Sequence, residues 1–202
     1  MRAAMLAAAA SLAALAACSS ADNQANDTNV MMANDSLMAN QMAADEMNAP
    51  LANDTAPLPT DAATFISTAA ASDLFEIESA KIAIDKAQST DVRDFAQMMV
   101  TDHTKTTEGL KAAAAKASLT VPPPALTADQ QQMIDALKSA STDQFDATYL
   151  QQQLPAHQQA LALMQNYAEG GDTPALQDAA KTVIPIVQKH IARLDELTKQ
   201  AG

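Results

Sequence analysis

FAQMMVTDHTKTTEGL, residues 95–110, has the spacing of an α-helix: Phe95/Ala96, Met99, position 103, Thr106 and Leu110 fall on one apolar stripe. Position 103 is a histidine, one of three in the chain, and Asp102 precedes it. A leucine would pack better there, so the ring needs a reason. Reading outward, Val92, Ala113 and Ala117 extend the stripe and predict a helix over about 90–118. Ser89 or Thr90 can cap it, with Asp91 favourable in its first turn.

Three more segments carry the same period. The segment about 61–88 places Phe65, Ala69, Glu76, Ala80, Ala83 and Ala87 on one stripe. VPPP at 121–124 stops any helix, and TADQ at 127–130 has the capping-box pattern that opens a short helix to about Ala140. STDQ at 141–144 repeats that pattern and predicts a long helix to about Glu169, with Leu150, Leu154, His157, Leu161, Met164 and Ala168 aligned, closed by Gly170-Gly171. Thr173 and Pro174 then open a last helix through Leu176, Ala180, Val183, Val187, His190, Leu194 and Leu197. No strand pattern competes, so the fold class is all-α. Tight turns join the first two and last two long helices as antiparallel hairpins. The stretch 119–141 can cross a helix of roughly 26 residues, about 39 Å at 1.5 Å per residue. Two hairpins joined by one long crossover predict a ferritin-like four-helix bundle over 61–202.

Residues 1–60 differ in character. The opening MRAAMLAAAASLAALAACSS has one basic residue, a short apolar run and small residues before Cys18. That is a secretory leader rather than a membrane span, which needs roughly 20 apolar residues. Leu15-Ala16-Ala17-Cys18 resembles a bacterial lipobox. It implies cleavage after residue 17, acylation of Cys18 and a lipid-anchored protein on the periplasmic side of the envelope. Residues 18–60, rich in Asn, Asp, Ala and Met, have no sustained period and read as a disordered tether, about 35 Å long as a coil. Met31, Met32, Met38, Met42 and Met47 in that tether offer thioethers to Cu(I), although compositional drift explains them equally well.

Composition narrows the function. Net charge is −12 and aromatics are 3%, which disfavours nucleic acid because phosphate binding needs a basic face. Cys18 is the only cysteine, so the folded part has no disulfide, thiolate site or cysteine nucleophile. No serine triad, phosphate loop or HExxH occurs, and an enzyme is the less expected outcome.

All three histidines sit on apolar stripes of different helices, and Glu76 takes the equivalent place on the fourth. Glu76, His103 and His157 fall at one depth when counted from their turns. His190 is roughly five residues, or ~7 Å, too far from its own, and Pro155 and Pro185 can shift that by bending their helices. The more economical reading is a buried hydrogen-bonded layer of Glu–His pairs, with Tyr149 or Thr106 nearby, that fixes helix register. The alternative is a site at Glu76, His103, His157 and His190 for a transition metal (copper, zinc or iron). No Glu lies three residues before any histidine, so a di-iron carboxylate centre is disfavoured. A metal-dependent oxidoreductase ranks third for the same reason.

FISTAAASDLFEIESAKIAIDKAQSTDVRDFAQMMVTDHTKT, then FDATYLQQQLPAHQQALALMQNYAEGG, then IPIVQKHI resemble the bacterial domain-of-unknown-function family numbered 4142, often labelled "predicted outer membrane protein". The pattern matches at Glu76, Phe95, Ala96, Met99, Asp102, His103, Phe145, Asp146, Tyr149, His157, Pro185 and His190, and departs at Pro155. The resemblance spans about Asp61 to Leu197. It implies a ferritin-like fold and an outer-membrane location, and no agreed activity. The expected role is an envelope lipoprotein whose His/Glu layer captures a metal ion in stress protection. The alternative is an interaction module with an unidentified protein partner.

Overall fold

The computed structural model describes residues 57–201. The leader, Cys18, the tether methionines and most of the 18–60 segment lie outside the described residues. Five helices and no strand occur among the described residues: α1 (Ala62–Lys86), α2 (Thr90–Lys116), α3 (Ala128–Ser139), α4 (Phe145–Gly170) and α5 (Pro174–Ala201). None of them is long and apolar enough to cross a membrane.

Side-chain caps set most starts. The Asp61 carboxylate accepts the Thr64 N–H at 2.9 Å, and the Ser89 hydroxyl accepts that of Val92 at 3.5 Å. Thr127 and Gln130 form both bonds of the capping box at α3. The second expected capping box does not form. Residues 142–144 make a turn, and α4 starts at Phe145 without a side-chain cap. The Ser141 hydroxyl bonds Gln144 Oε1 instead.

Tertiary contacts hold that corner. Asp146 accepts the N–H of Gln88 at 3.0 Å and of Ser89 at 2.8 Å, tying α4 to the α1–α2 turn. Lys86 donates to the carbonyls of Leu137, Lys138 and Ala140 at 3.0, 2.7 and 3.0 Å. These are the orphan acceptors at the C-terminus of α3, so one ammonium pins the short helix. At the other end, Phe65 stacks on Tyr167 with ring centroids 3.8 Å apart. Gly171 must be glycine because a Cβ there would sit 2.5 Å from the Tyr167 ring. Its φ of −66° is ordinary, so space rather than backbone conformation requires it.

α1 packs mainly on α2, and α4 on α5; α2 also lies beside α5, and α1 beside α4, while α3 contacts α1 and α4. Two apolar clusters result. One gathers Phe65, Leu110, Tyr167 and Leu176; the other gathers Phe95, Met99, Phe145, Tyr149 and Leu194. Burying each such large side chain contributes about 1.5–3 kcal/mol. The inner face of α4 differs from expectation by about one residue: Tyr149, Gln153, Ala160, Leu163 and Tyr167 are buried, whereas Leu154 and Leu161 are half-buried. Gln153 turns inward because its amide donates to the Ser79 hydroxyl at 3.2 Å, a partner on α1 that spacing along α4 does not reveal.

Replacing Asp146 with Ala strands two turn N–H groups. Urea denaturation is expected to show a loss of about 1–3 kcal/mol, and an unchanged midpoint would contradict this account of the corner.

Candidate metal centre

His103 on α2, His157 on α4 and His190 on α5 meet between the two apolar clusters, at 4%, 1% and 0% exposure. Their ring centroids form a nearly equilateral triangle of 5.6, 5.5 and 5.4 Å. One nitrogen from each ring lies within 4.8 Å of one from each of the others. His190 therefore lies in the layer, not ~7 Å outside it. Helical side chains lean toward their own N-terminus. In an antiparallel pair this draws the His190 ring toward the α4–α5 turn and the His157 ring away from it, closing the gap that residue counting left.

Each ring is held from outside. His103 Nδ1 is 2.9 Å from Asp73 Oδ1, His157 Nδ1 is 2.9 Å from the Gln153 carbonyl, and His190 Nε2 is 3.2 Å from Asp102 Oδ2. A carbonyl can only accept, and an ionised carboxylate likewise, so those nitrogens carry the protons. Asp73 is itself held, accepting from Thr106 and Thr107 hydroxyls at 2.9 Å each. The other nitrogens, His103 Nε2, His157 Nε2 and His190 Nδ1, are buried and have no hydrogen-bond partner. Phe95 borders the group, its ring 6.5 Å from that of His157 and 6.4 Å from that of His190.

Glu76 lies at the edge, 2% exposed, with Oε1 3.7 Å from His157 Nδ1. That is too long for a hydrogen bond, and neither carboxylate oxygen has a partner. The expected Glu–His pairing with Tyr149 or Thr106 is thus corrected: Thr106 serves Asp73, and the Tyr149 hydroxyl is buried without a partner. A closed hydrogen-bonded layer would satisfy these groups. This one leaves three nitrogens and a carboxylate open.

Burial sets the charges. It pushes the Glu76 carboxyl up to about 7 against the opposing pull of His103. It lowers His157 to about 3 and His190 to about 4, with the His103 charge adding to both; the Asp102 bond partly offsets the fall at His190. Burial would lower His103 too, but the Asp73 bond and the charges of Glu76, Asp73 and Asp102 outweigh it and hold its pKa above the ordinary value. At neutral pH the lowered values leave His157 and His190 as neutral donors.

The family profile "Domain of unknown function (DUF4142)" matches residues 46–197. The chain belongs to this family. No curated protein matches the sequence. Among solved structures, this DUF4142 chain resembles CopM in the Cu(I)-bound form, with a TM-score of 0.59 at 20% identity over 69% of this chain and 96% of CopM. CopM in the Cu(II)-bound form gives 0.60 at 19% identity over 69% and 97%. A DUF305 fragment from Deinococcus radiodurans gives 0.59 at 14% identity over 71% and 99%. Likeness at these identities establishes a shared helical fold.

Helical spacing singles out the three rings and Glu76 but assigns no role to Asp73, Asp102 or Gln153. Asp73 lies three residues before Glu76, on the same helix face, which was the available signal.

The charges give a pH dependence. The lowered pKa values of His157 and His190 mean that the unfolded chain binds more protons between pH 6.5 and about 3–4, so stability falls with acidification there. Raised Glu76 and His103 act oppositely: Glu76 loses stability as pH rises from 4.5 through about 7, and His103 as pH rises above 6.5. Two histidines against one glutamate leave acidification net destabilising below 6.5. The metal-free protein should melt highest near pH 6.5, and His157→Leu should flatten the acid limb of the profile. An acid limb unchanged by that substitution would refute the assignment.

Proposed function

We propose that this chain is an envelope lipoprotein whose bundle, ferritin-like in arrangement, binds one transition-metal ion at His103, His157 and His190, with Glu76 as the nearby carboxylate. One observation carries the reading. Three buried imidazoles each have one nitrogen tied to an outside acceptor and the other left open, the arrangement that orients histidine ligands for a metal. Three atoms no more than 4.8 Å apart share a point within about 2.8 Å of each (4.8 Å divided by √3). A metal–imidazole bond is about 2.0–2.1 Å, so drawing the rings in by less than an ångström suffices.

Copper is the preferred metal. Neutral nitrogen donors without thiolate suit copper, zinc, iron and nickel, and Cu²⁺ binds most tightly among the divalent ions. The Cu- and Ag-bound CopM structures of like fold support that choice. Capture rather than turnover fits the geometry, because burial of all three rings leaves little room for a substrate. A bound ion would supply Lewis acidity there. The protein's part is to hold the rings, compensate charge through Glu76, Asp73 and Asp102, and exclude water. An acylated Cys18 would retain the domain at the periplasmic face of the outer membrane, where such capture serves protection against metal stress.

The test is metal content of the full chain after anaerobic exposure to equimolar copper, zinc and iron, read by mass spectrometry. One copper per chain is expected in wild type. His103→Ala and His157→Ala should lose it, and Asp73→Asn should bind about 10–100-fold more weakly. Substoichiometric metal that the substitutions do not change would leave the layer as architecture. Zinc or iron bound in preference would refute copper alone.

A further inference from the structure

A second feature lies away from the three unpartnered nitrogens. A cavity of about 440 Å³ opens between α2 and α5, walled by Gly109, Leu110 and Ala113 on one side and Ala179, Ala180 and Val183 on the other. Phe65, Ala69 and Met164 from α1 and α4 form its floor. Small side chains on both facing helices leave the seam unfilled, and the volume lies within the range of about 300–1,000 Å³ typical of small-molecule sites. Its walls run from Lys105 to Lys116 along α2 and from Ile186 to Ala175 along α5, about 16 Å at 1.5 Å per residue.

The two ends differ in charge. At the inner end Lys105 pairs with Asp102 at 3.4 Å, and Asp73 is bonded to His103, Thr106 and Thr107. At the outer end Asp178 pairs with Lys181 at 3.4 Å, whereas exposed Lys116 takes part in none of the ion pairs among the described residues. Ala175, in the first turn of α5, lies at the same end, where the helix dipole favours an anion. An elongated apolar cavity with one unpaired cation beside a helix N-terminus fits one class of ligand.

We propose that the α2–α5 cavity binds a single-chain anionic amphiphile of the fatty-acid type. Its hydrocarbon lies against Phe65, Leu110 and Val183, and its carboxylate meets Lys116. The hydrocarbon is drawn in by burial of apolar surface, and the carboxylate sets its direction.

The experiment titrates the full chain with dansyl-undecanoate, followed by fluorescence, with laurate and dodecanol as competitors. Saturable one-to-one binding displaced by laurate is expected. Gly109→Trp has room, since a Cβ at Gly109 meets nothing within 4 Å, and should weaken binding at least tenfold without lowering the melting temperature. Thr182→Trp, on the exposed face of α5 across the cavity, should repeat that result. Lys116→Glu should weaken laurate several-fold and leave dodecanol unchanged. Non-saturable binding, or affinity indifferent to both tryptophan substitutions, would overturn the proposal. So would sedimentation of the chain as a dimer that laurate does not dissociate, since a second copy would then fill the cavity. None of these readings depends on whether the histidines bind a metal.

Discussion

Each of three buried imidazoles donates one N–H outward to an acceptor that its own surroundings hold in place. That constraint governs the centre of this molecule. A histidine left to itself in an apolar core would choose its tautomer by whatever partner it met, and its second nitrogen would be a buried orphan. Here Asp73, the Gln153 carbonyl and Asp102 make the choice, and each leaves the opposite lone pair free. The acceptors come from α1, α4 and α2, while the rings ride on α2, α4 and α5, so the layer links all four long helices. The two Asp–His contacts between helices set register in the same stroke.

A core that keeps polar atoms open is destabilising unless something offsets it. Burial of an unpaired polar group costs roughly 1–3 kcal/mol, and the layer holds several, including both oxygens of Glu76. The apolar clusters on either side supply the compensation, with Phe65, Tyr167, Phe145 and Tyr149 as their largest members. Pinning at the corners matters for the same reason. Lys86 on the end of α3, Asp146 on the α1–α2 turn and the Phe65–Tyr167 stack hold the helix ends, so the middle can stay open.

The architecture was largely readable from residue order. Helical period, the TADQ cap, the VPPP stop and the short turns predict five helices, and five are present among the described residues. Three of the site's rings were equally legible, because a histidine on an apolar stripe is conspicuous. What spacing could not supply was the third dimension. The depth of His190 depends on the opposite lean of side chains in antiparallel helices. The start of α4 depends on Asp146 being committed to a turn 57 residues earlier in the chain. The role of Asp73 depends on a neighbour on another helix, and one acidic residue among twenty-four carries no mark of it.

The tautomers of the metal-free protein report on these three outward N–H bonds without any bound ion. Long-range ¹H–¹⁵N spectra of the imidazoles distinguish protonated from lone-pair nitrogens, above pH 7 and without any added metal. N–H is expected at Nδ1 of His103 and His157 and at Nε2 of His190, with slow solvent exchange at all three. A shared tautomer for all three rings, or rapid interconversion between tautomers, would contradict this assignment.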